Sequence, residues 1–257
     1  MTREELRRRV IEGLEIELSL FGGCSDETSV ARLPGALASV SPSTADRSIF
    51  NSVTASGPDA LATAADDLGA IYREAGVRAW TVWVPDDDRR SAELLAARGH
   101  VLDGAPRAMA LELSDLRAVE LPAGVELVPG AMATIGAIND RAYGIEGPGW
   151  ATAMIDEPDL AMESAIAVAD GEPVACALVL DHGDDACVSA VATLPGHRGR
   201  GLAGAIISRL LASAAERGIR TGSLQASRAG APVYARLGFE DVGFFELWER
   251  REQPPGR

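Results

Sequence analysis

The sequence predicts an α/β chain: a mixed central β-sheet flanked by helices, built as two tandem units of the same element order. Three observations predict it. Strand patterns alternate with helical patterns over most of the 257 residues. A strand pattern at Ala186–Thr193 runs into the glycine-rich turn His197-Arg198-Gly199-Arg200-Gly201-Leu202-Ala203-Gly204, and a helical pattern runs out of it to about Arg217. The upstream half then repeats the downstream order with different residues.

In the upstream half, Met1-Thr2-Arg3-Glu4-Glu5-Leu6 opens a charged helical pattern without the apolar centre of a signal peptide. Ser48–Ala55 reads as a strand, Asp59–Ala75 as an amphipathic helix, Ala79–Val84 as a β-rich strand and Ser91–Arg98 as a short helix. Gly99-His100 then introduces a closing strand, Ala108–Leu113. Pro122 and Gly124 mark a boundary within Ser114–Gly124, which predicts domains over 1–118 and 119–257.

Downstream, Val125–Val128 reads as a strand and Ala131–Tyr143 as a helix. Ser164–Ala169 and Pro173–Leu180 form strands joined by the hairpin turn Asp170-Gly171-Glu172, and Asp181–Asp185 turns into the next strand. After the glycine-rich turn, Leu202, Ile206, Leu210, Leu211 and Ala214 make a core-facing stripe. Strand Gly222–Ala226, helix Gly230–Leu237, the pair Gly238-Phe239 and strand Val242–Trp248 complete the order. Aligning Gly99 with Gly238 puts Leu95 opposite Tyr234. Opposite the arginine–glycine run stands Ser56-Gly57-Pro58-Asp59, which has no arginine and carries an aspartate where phosphate would lie.

Strand, glycine turn and helix together form an anion site. The first N–H groups of a helix lack intrahelical partners, and the helix dipole adds partial positive charge. Glycines let the backbone approach phosphate oxygens, and Arg198 and Arg200 would add charge-assisted bonds. A Walker loop is excluded because all 24 basic residues are arginine. Gly199-Arg200-Gly201-Leu202-Ala203-Gly204 has dinucleotide-fold spacing, but no acidic residue stands about 20 residues on, where Leu224 is found.

Three ordered segments carry a family resemblance. Arg198-Gly199-Arg200-Gly201-Leu202-Ala203 resembles the Arg/Gln-x-x-Gly-x-Gly/Ala signature of the GCN5-related N-acetyltransferases (GNAT). Val191-Ala192-Thr193-Leu194-Pro195 resembles the strand end before that loop, and Tyr234-Ala235-Arg236-Leu237-Gly238-Phe239 the family's late Tyr-x-x-Leu-Gly-Phe ending. The resemblance covers about Val125–Arg250 and implies an acetyl-CoA-dependent transfer to a primary amine of a small molecule or peptide. It implies acetyl-CoA binding by Val191, Ala192, Thr193, Arg198, Gly199, Arg200, Gly201, Leu202, Ala203, Gly204 and Ser227. In that scheme Val191 and Thr193 hold pantetheine amides through their backbones, and the oxyanion donor lies near Val191. Ser227 stands where many relatives have asparagine, and Tyr234 is the general acid for the departing thiolate. The first copy would have lost its site, and would serve to bind the acceptor or to form a homodimer. The rival function is a non-catalytic acyl-CoA-binding or sensing protein.

No motif selects a general base from Glu146, Asp156, Glu163, Asp181, His182, Asp184 and Asp185, each expected to be solvated; Asp140 lies in the helical pattern that, by the resemblance, would flank the acceptor cleft. His100 and His197 are expected to be equally unremarkable. No cluster has metal-ligand spacing, so no metal is expected, and no Gly-x-Ser-x-Gly elbow supports a serine hydrolase. Cys24, Cys176 and Cys187 are expected to be reduced thiols in a cytoplasmic protein, the last two in the core. The net charge of −14 argues against nucleic acid as a partner and suits a cationic amine. No apolar run has membrane-spanning length, and an arginine-rich, lysine-free composition points to a bacterial source.

Overall fold

A computed structural model describes residues 1–252. The first helix, α1 (Arg3–Phe21), starts with a capping box: the Thr2 hydroxyl accepts from Glu5 N–H, and the Glu5 carboxylate accepts from Thr2 N–H. Its buried stripe Leu6, Val10, Leu14 and Leu18 packs on Trp83, Ala110 and Phe245. Each such side chain contributes about 1.5–3 kcal/mol of burial.

A hairpin of β1 (Ser29–Leu33) and β2 (Ala36–Val40) follows, turning through Gly35 at φ +72°. Neither strand was legible in the sequence. The strand expected over Ser48–Ala55 is confined to β3 (Ser52–Ala55), and Ser48–Phe50 is a 3₁₀ turn instead. Side chains take over the backbone there: Asn51 Nδ2 donates to the Arg47 and Thr44 carbonyls, and Ser52 Oγ to those of Ser48 and Ile49. The half continues with α2 (Pro58–Glu74), β4 (Ala79–Pro85), α3 (Arg89–Ala97), β5 (Val101–Gly104) and β6 (Arg107–Glu112).

The second half holds β7 (Val125–Pro129), α4 (Met132–Tyr143), a single turn α5 (Trp150–Ala153), β8 (Met162–Ala169) and β9 (Glu172–His182). Asp170 and Gly171, at φ +52° and +80°, make the predicted tight turn between the last two. Then come β10 (Asp185–Thr193), α6 (Leu202–Glu216), β11 (Thr221–Ala226), α7 (Ala231–Leu237) and β12 (Glu240–Arg251).

The strands form one mixed sheet in the order β1-β2-β3-β4-β12-β6-β11-β10-β9-β8-β7, with β5 paired to β12. Among the described residues only β3–β4 and β10–β11 are parallel, and each of these pairs is linked through a helix. The line expected between 118 and 119 falls in a loop, yet the sheet crosses it in both directions. β6 from the first half sits between β11 and β12, while Phe245–Arg251 of β12 pairs with β4. Cutting the chain there would strip a strand from each side of the sheet and leave unpaired edges. α6 closes one face of the second half by burying Leu202, Ile206, Leu210 and Leu211.

Candidate active site

The site begins where two strands part. β10 and β11 pair over Asp185–Cys187 and Thr221–Ser223, and then diverge although both continue. On its other edge, β10 skips in its register with β9 between Ser189 and Ala192. Ala190 sits in that gap at φ +50°, a left-handed conformation costing a residue with a Cβ about 1–3 kcal/mol. Surrounding bonds hold it: the Ala190 carbonyl accepts from Asn139 Nδ2 at 3.2 Å and from Cys176 Sγ at 3.4 Å. The bulge turns Val191 into the opening, its carbonyl accepting from Tyr143 Oη at 2.9 Å.

The opening leads into a cavity of about 940 Å³. Val191, Ala192, Thr193, Arg198, Gly199, Gly201, Leu202, Ala203, Gly204, Ser227 and Tyr234 all line it. Gly199 and Gly201, at φ +75° and +81°, turn the chain into α6. Ala205 N–H is the first to reach back into the helix, to the Gly201 carbonyl at 3.0 Å, so the amides of Leu202, Ala203 and Gly204 stay without an intrahelical partner. The Leu202 side chain is buried in the core, leaving only its backbone for the cavity.

Three polar side chains behave differently from expectation. Arg198 donates from Nε to the Thr193 carbonyl at 3.0 Å and from Nη2 to the Ala142 carbonyl at 2.6 Å, so its guanidinium braces the loop against α4. Arg200 lies outside the cavity, its Nη1 3.1 Å from His197 Nδ1. Ser227 Oγ accepts from Gly230 N–H at 3.1 Å, fixing the turn before α7. At this turn the amides at the start of α6 are open donors, whereas each guanidinium is turned toward a partner of its own.

A family profile described as acetyltransferase (GNAT) domain matches residues 162–241. That span runs from β8 through the splay and the glycine turn to the start of β12. These residues belong to the GNAT family. Solved structures share the fold across nearly the whole chain. A GCN5-related N-acetyltransferase from Kribbella flavida is 20% identical, covering 93% of this chain and 96% of its own, with a TM-score of 0.66. One from Sphaerobacter thermophilus is 21% identical over 87% and 83%, at 0.59. A tandem GNAT protein from the clavulanic acid biosynthesis pathway is 13% identical over 98% and 97%, also at 0.59. No curated protein matches in sequence.

Within the GNAT domain, Tyr234 is buried, its ring edge-on to Phe239 at 6.0 Å between centroids. Its hydroxyl has no hydrogen-bond partner among the described residues and faces the cavity. Burial pushes its pKa above the ordinary tyrosine value, with Tyr143 and Glu17 adding to the shift, so the phenol is protonated at neutral pH. Tyr234, Tyr143, Val191 and Ser227 also line a second cavity of about 160 Å³. The second cavity contains the residue that sequence reasoning missed, Glu17 of α1. Ser189 Oγ donates to its carboxylate, and burial pushes its pKa up to about 7 against that bond. Its signal was available: Val10, Leu14, Glu17 and Phe21 share one helix face, so a carboxylate stands inside an apolar stripe.

Asp140 and four of the acidic residues weighed for the base, Glu163, Asp181, Asp184 and Asp185, are engaged elsewhere. Asp140 accepts from Trp150 and Ala151 N–H and starts α5. Asp181 and Glu163 hold Arg217, and Asp184 holds Arg9. Asp185, expected in solvent, is fully buried, accepting from Thr221 and Ser223 hydroxyls with His182 Nε2 at 3.0 Å. His100 is also buried, edge-on to Trp80, and its pKa falls to about 4 through loss of hydration. All three cysteines are buried free thiols. Among the described residues no group of acidic, histidine or cysteine side chains could hold a metal, and no helix is long and apolar enough to cross a membrane.

Proposed function

We propose that the GNAT domain transfers an acetyl group from acetyl-CoA to a primary amine by direct attack on the thioester. One observation carries this reading: unpartnered amides at the start of α6 and the free Tyr234 hydroxyl line one cavity, at the point where β10 and β11 part. The donor set suits the ligand, since helix-start amides match a diphosphate and the open edge of β10 matches an extended chain of amides. Acetyl-CoA, when bound, supplies an activated acyl group on a good leaving sulfur.

The chain's own residues do the rest. The amides of Leu202, Ala203 and Gly204 take the diphosphate with Gly199 and Gly201 giving close approach, and Ala192, Thr193 and Ser227 flank the pantetheine arm. The backbone at Val191, freed by the bulge, offers a donor to the developing oxyanion. Tyr234 delivers its proton to the departing sulfur. Residues 1–118 and 119–257 are read as two GNAT-like copies that have exchanged strands β6 and β12, with only the second retaining the loop.

Titrating the full chain with acetyl-CoA while following thermal unfolding tests the cofactor: a ligand specific for the folded state at about a hundred times its Kd adds about 2.7 kcal/mol. Thiol release with a panel of primary amines tests the reaction. An unchanged midpoint throughout the titration would remove the proposal; binding with no thiol release under any amine would leave a binding protein.

A further inference from the structure

Resting on that reaction, we propose that the first half of the chain builds the acceptor site, with Glu17 as the general base and with an apolar, ring-sized amine as the substrate class. The two cavities share Tyr143, Val191, Ser227 and Tyr234, so the smaller one opens at the point where the thioester would lie. Its far side is built by Phe21, Ile49 and Trp83 of the first half together with Trp150. Phe21 and Trp150 meet edge to face at 5.7 Å, a rigid aromatic wall. A space of about 150 Å³ is known to accept a benzene ring, and this one is about 160 Å³.

The polar groups in this cavity point to an N–H donor. Glu17 is a carboxylate on the cavity wall whose hydrogen-bond donor among the described residues is the Ser189 hydroxyl. No cationic side chain lines the space among the described residues. A carboxylate on the wall of this cavity, held by a single hydroxyl, has oxygen left for a further donor, and a primary amine brings one. The titratable groups facing Glu17 are Tyr234 on α7, Tyr143 on α4 and Cys187 on β10, with Ser189 as hydrogen-bond donor.

The proton inventory closes on these residues. The ammonium sheds its first proton to solvent on entry. The amine lone pair forms the C–N bond as the carbonyl π pair moves to oxygen, and Glu17 takes the proton released from nitrogen. The oxyanion then collapses, the C–S bond breaks, and the sulfur takes the Tyr234 proton. Water in the shared cavity carries the Glu17 proton back to the phenolate, leaving amide and free thiol. With its pKa near 7, Glu17 is half-ionised at neutral pH, the range in which a base is most effective.

The test compares the wild-type chain with Glu17→Gln and Glu17→Asp, using phenethylamine against glycine as acceptors and thiol release from pH 5.5 to 9. Glu17→Gln keeps an oxygen for Ser189, so folding and the acetyl-CoA thermal shift are expected to hold. Its kcat is expected to drop about a hundredfold, with the acidic limb near pH 7 lost. Glu17→Asp is expected to recover part of the rate, and phenethylamine to exceed glycine in kcat/KM at least tenfold. A Glu17→Gln variant with wild-type rate and pH profile overturns the base. Glycine preferred, or neither amine turned over while acetyl-CoA binds, overturns the acceptor class. Wild-type chain that does not bind acetyl-CoA at all is the failure of the underlying reaction instead.

Discussion

The two parallel strand pairs of this molecule have the same frame but different turns. β3 leads through Ser56-Gly57 into α2, and β10 leads through the arginine–glycine run into α6. Downstream, both frames close identically. Gly99 and Gly238 take left-handed conformations, and His100 and Phe239 N–H return to the Leu95 and Tyr234 carbonyls at 3.0 and 3.1 Å. The chemistry differs at each matched position. α2 has Pro58 and Asp59 in its first turn, so one amide is missing and a negative charge repels anions. α6 has three open amides and no acidic residue there. Leu95 is a core residue, whereas Tyr234 presents a hydroxyl to a cavity. In the proposed reading the same backbone is scaffold in one place and site in the other, and function resides in a handful of side chains and turn residues.

The sharpest way to break the comparison is at the matched pair. Tyr234→Phe should lower kcat by about a hundredfold to ten-thousandfold with the acetyl-CoA thermal shift retained. Leu95→Ala should leave kcat alone and cost about 2–5 kcal/mol of stability, read in denaturant. A Tyr234→Phe variant with full turnover would make the two positions equivalent, and the distinction would fall.

Glu17 sharpens the contrast from the other side, because in the proposed site the first half contributes through α1 and not through its own turn. Between its ordinary value of 4.5 and its native value of about 7, the folded chain holds a proton that the unfolded chain has lost. Stability therefore falls as pH rises through that window and is flat above it. The full shift corresponds to about 3 kcal/mol, an upper limit because Glu17 is only half-buried and solvent screens it. Glu17→Gln should accordingly melt higher than the wild type at pH 8, with the gap closing by pH 5; a constant gap would mean an unperturbed carboxylate.

Much of this was legible beforehand, and what was not has physical reasons. Periodicity and continuous apolar runs located α2, β4, α3, α4, β8–β11, α6 and α7, because those segments bury a regular face or a whole strand, whereas the single turn α5 carries no such pattern. β1 and β2 escaped because five-residue strands of small residues such as Ala36-Leu37-Ala38-Ser39-Val40 carry no alternation. The pairing of β6 and β12 across the two halves is invisible to any local pattern, because each looks the same whichever neighbour it pairs with. Glycine spacing exposed the loop, and the Tyr234 motif its hydroxyl. The fate of Arg198 depended on carbonyls brought near by folding, Thr193 close in sequence and Ala142 far from it. Helical spacing set Glu17 in an apolar stripe, but its place beside the cavity required knowing that α1 crosses β10, which the Ser189 contact shows.

The glycine turn offers an intermediate effect. Gly201 starts α6 in a left-handed conformation, so Gly201→Val adds backbone strain where the amides must converge. Acetyl-CoA affinity should fall about tenfold to a hundredfold by calorimetry, with the fold retained. Gly57→Ala, at φ +138° before α2, should cost stability of the same order without touching that affinity. Equal losses of affinity in both variants would place ligand contacts in the first half as well.

The smallest effect belongs to Arg200, and it separates amide recognition from charge recognition. Its guanidinium is exposed, directed at His197, and acts on a bound diphosphate only through solvent. Exposed charges at such range contribute up to about 1 kcal/mol, and a Debye length of about 10 Å at 0.1 M salt erases most of it. Arg200→Ala should therefore weaken acetyl-CoA binding no more than about fivefold at low salt and leave it unchanged at 0.5 M. Arg198→Ala removes two bonds to main-chain carbonyls that set the shape of the turn, and its loss should persist at both salt concentrations. If both losses vanished with salt, the arginines would be acting as a charged patch, and the amides of α6 would no longer explain the binding proposed for this half.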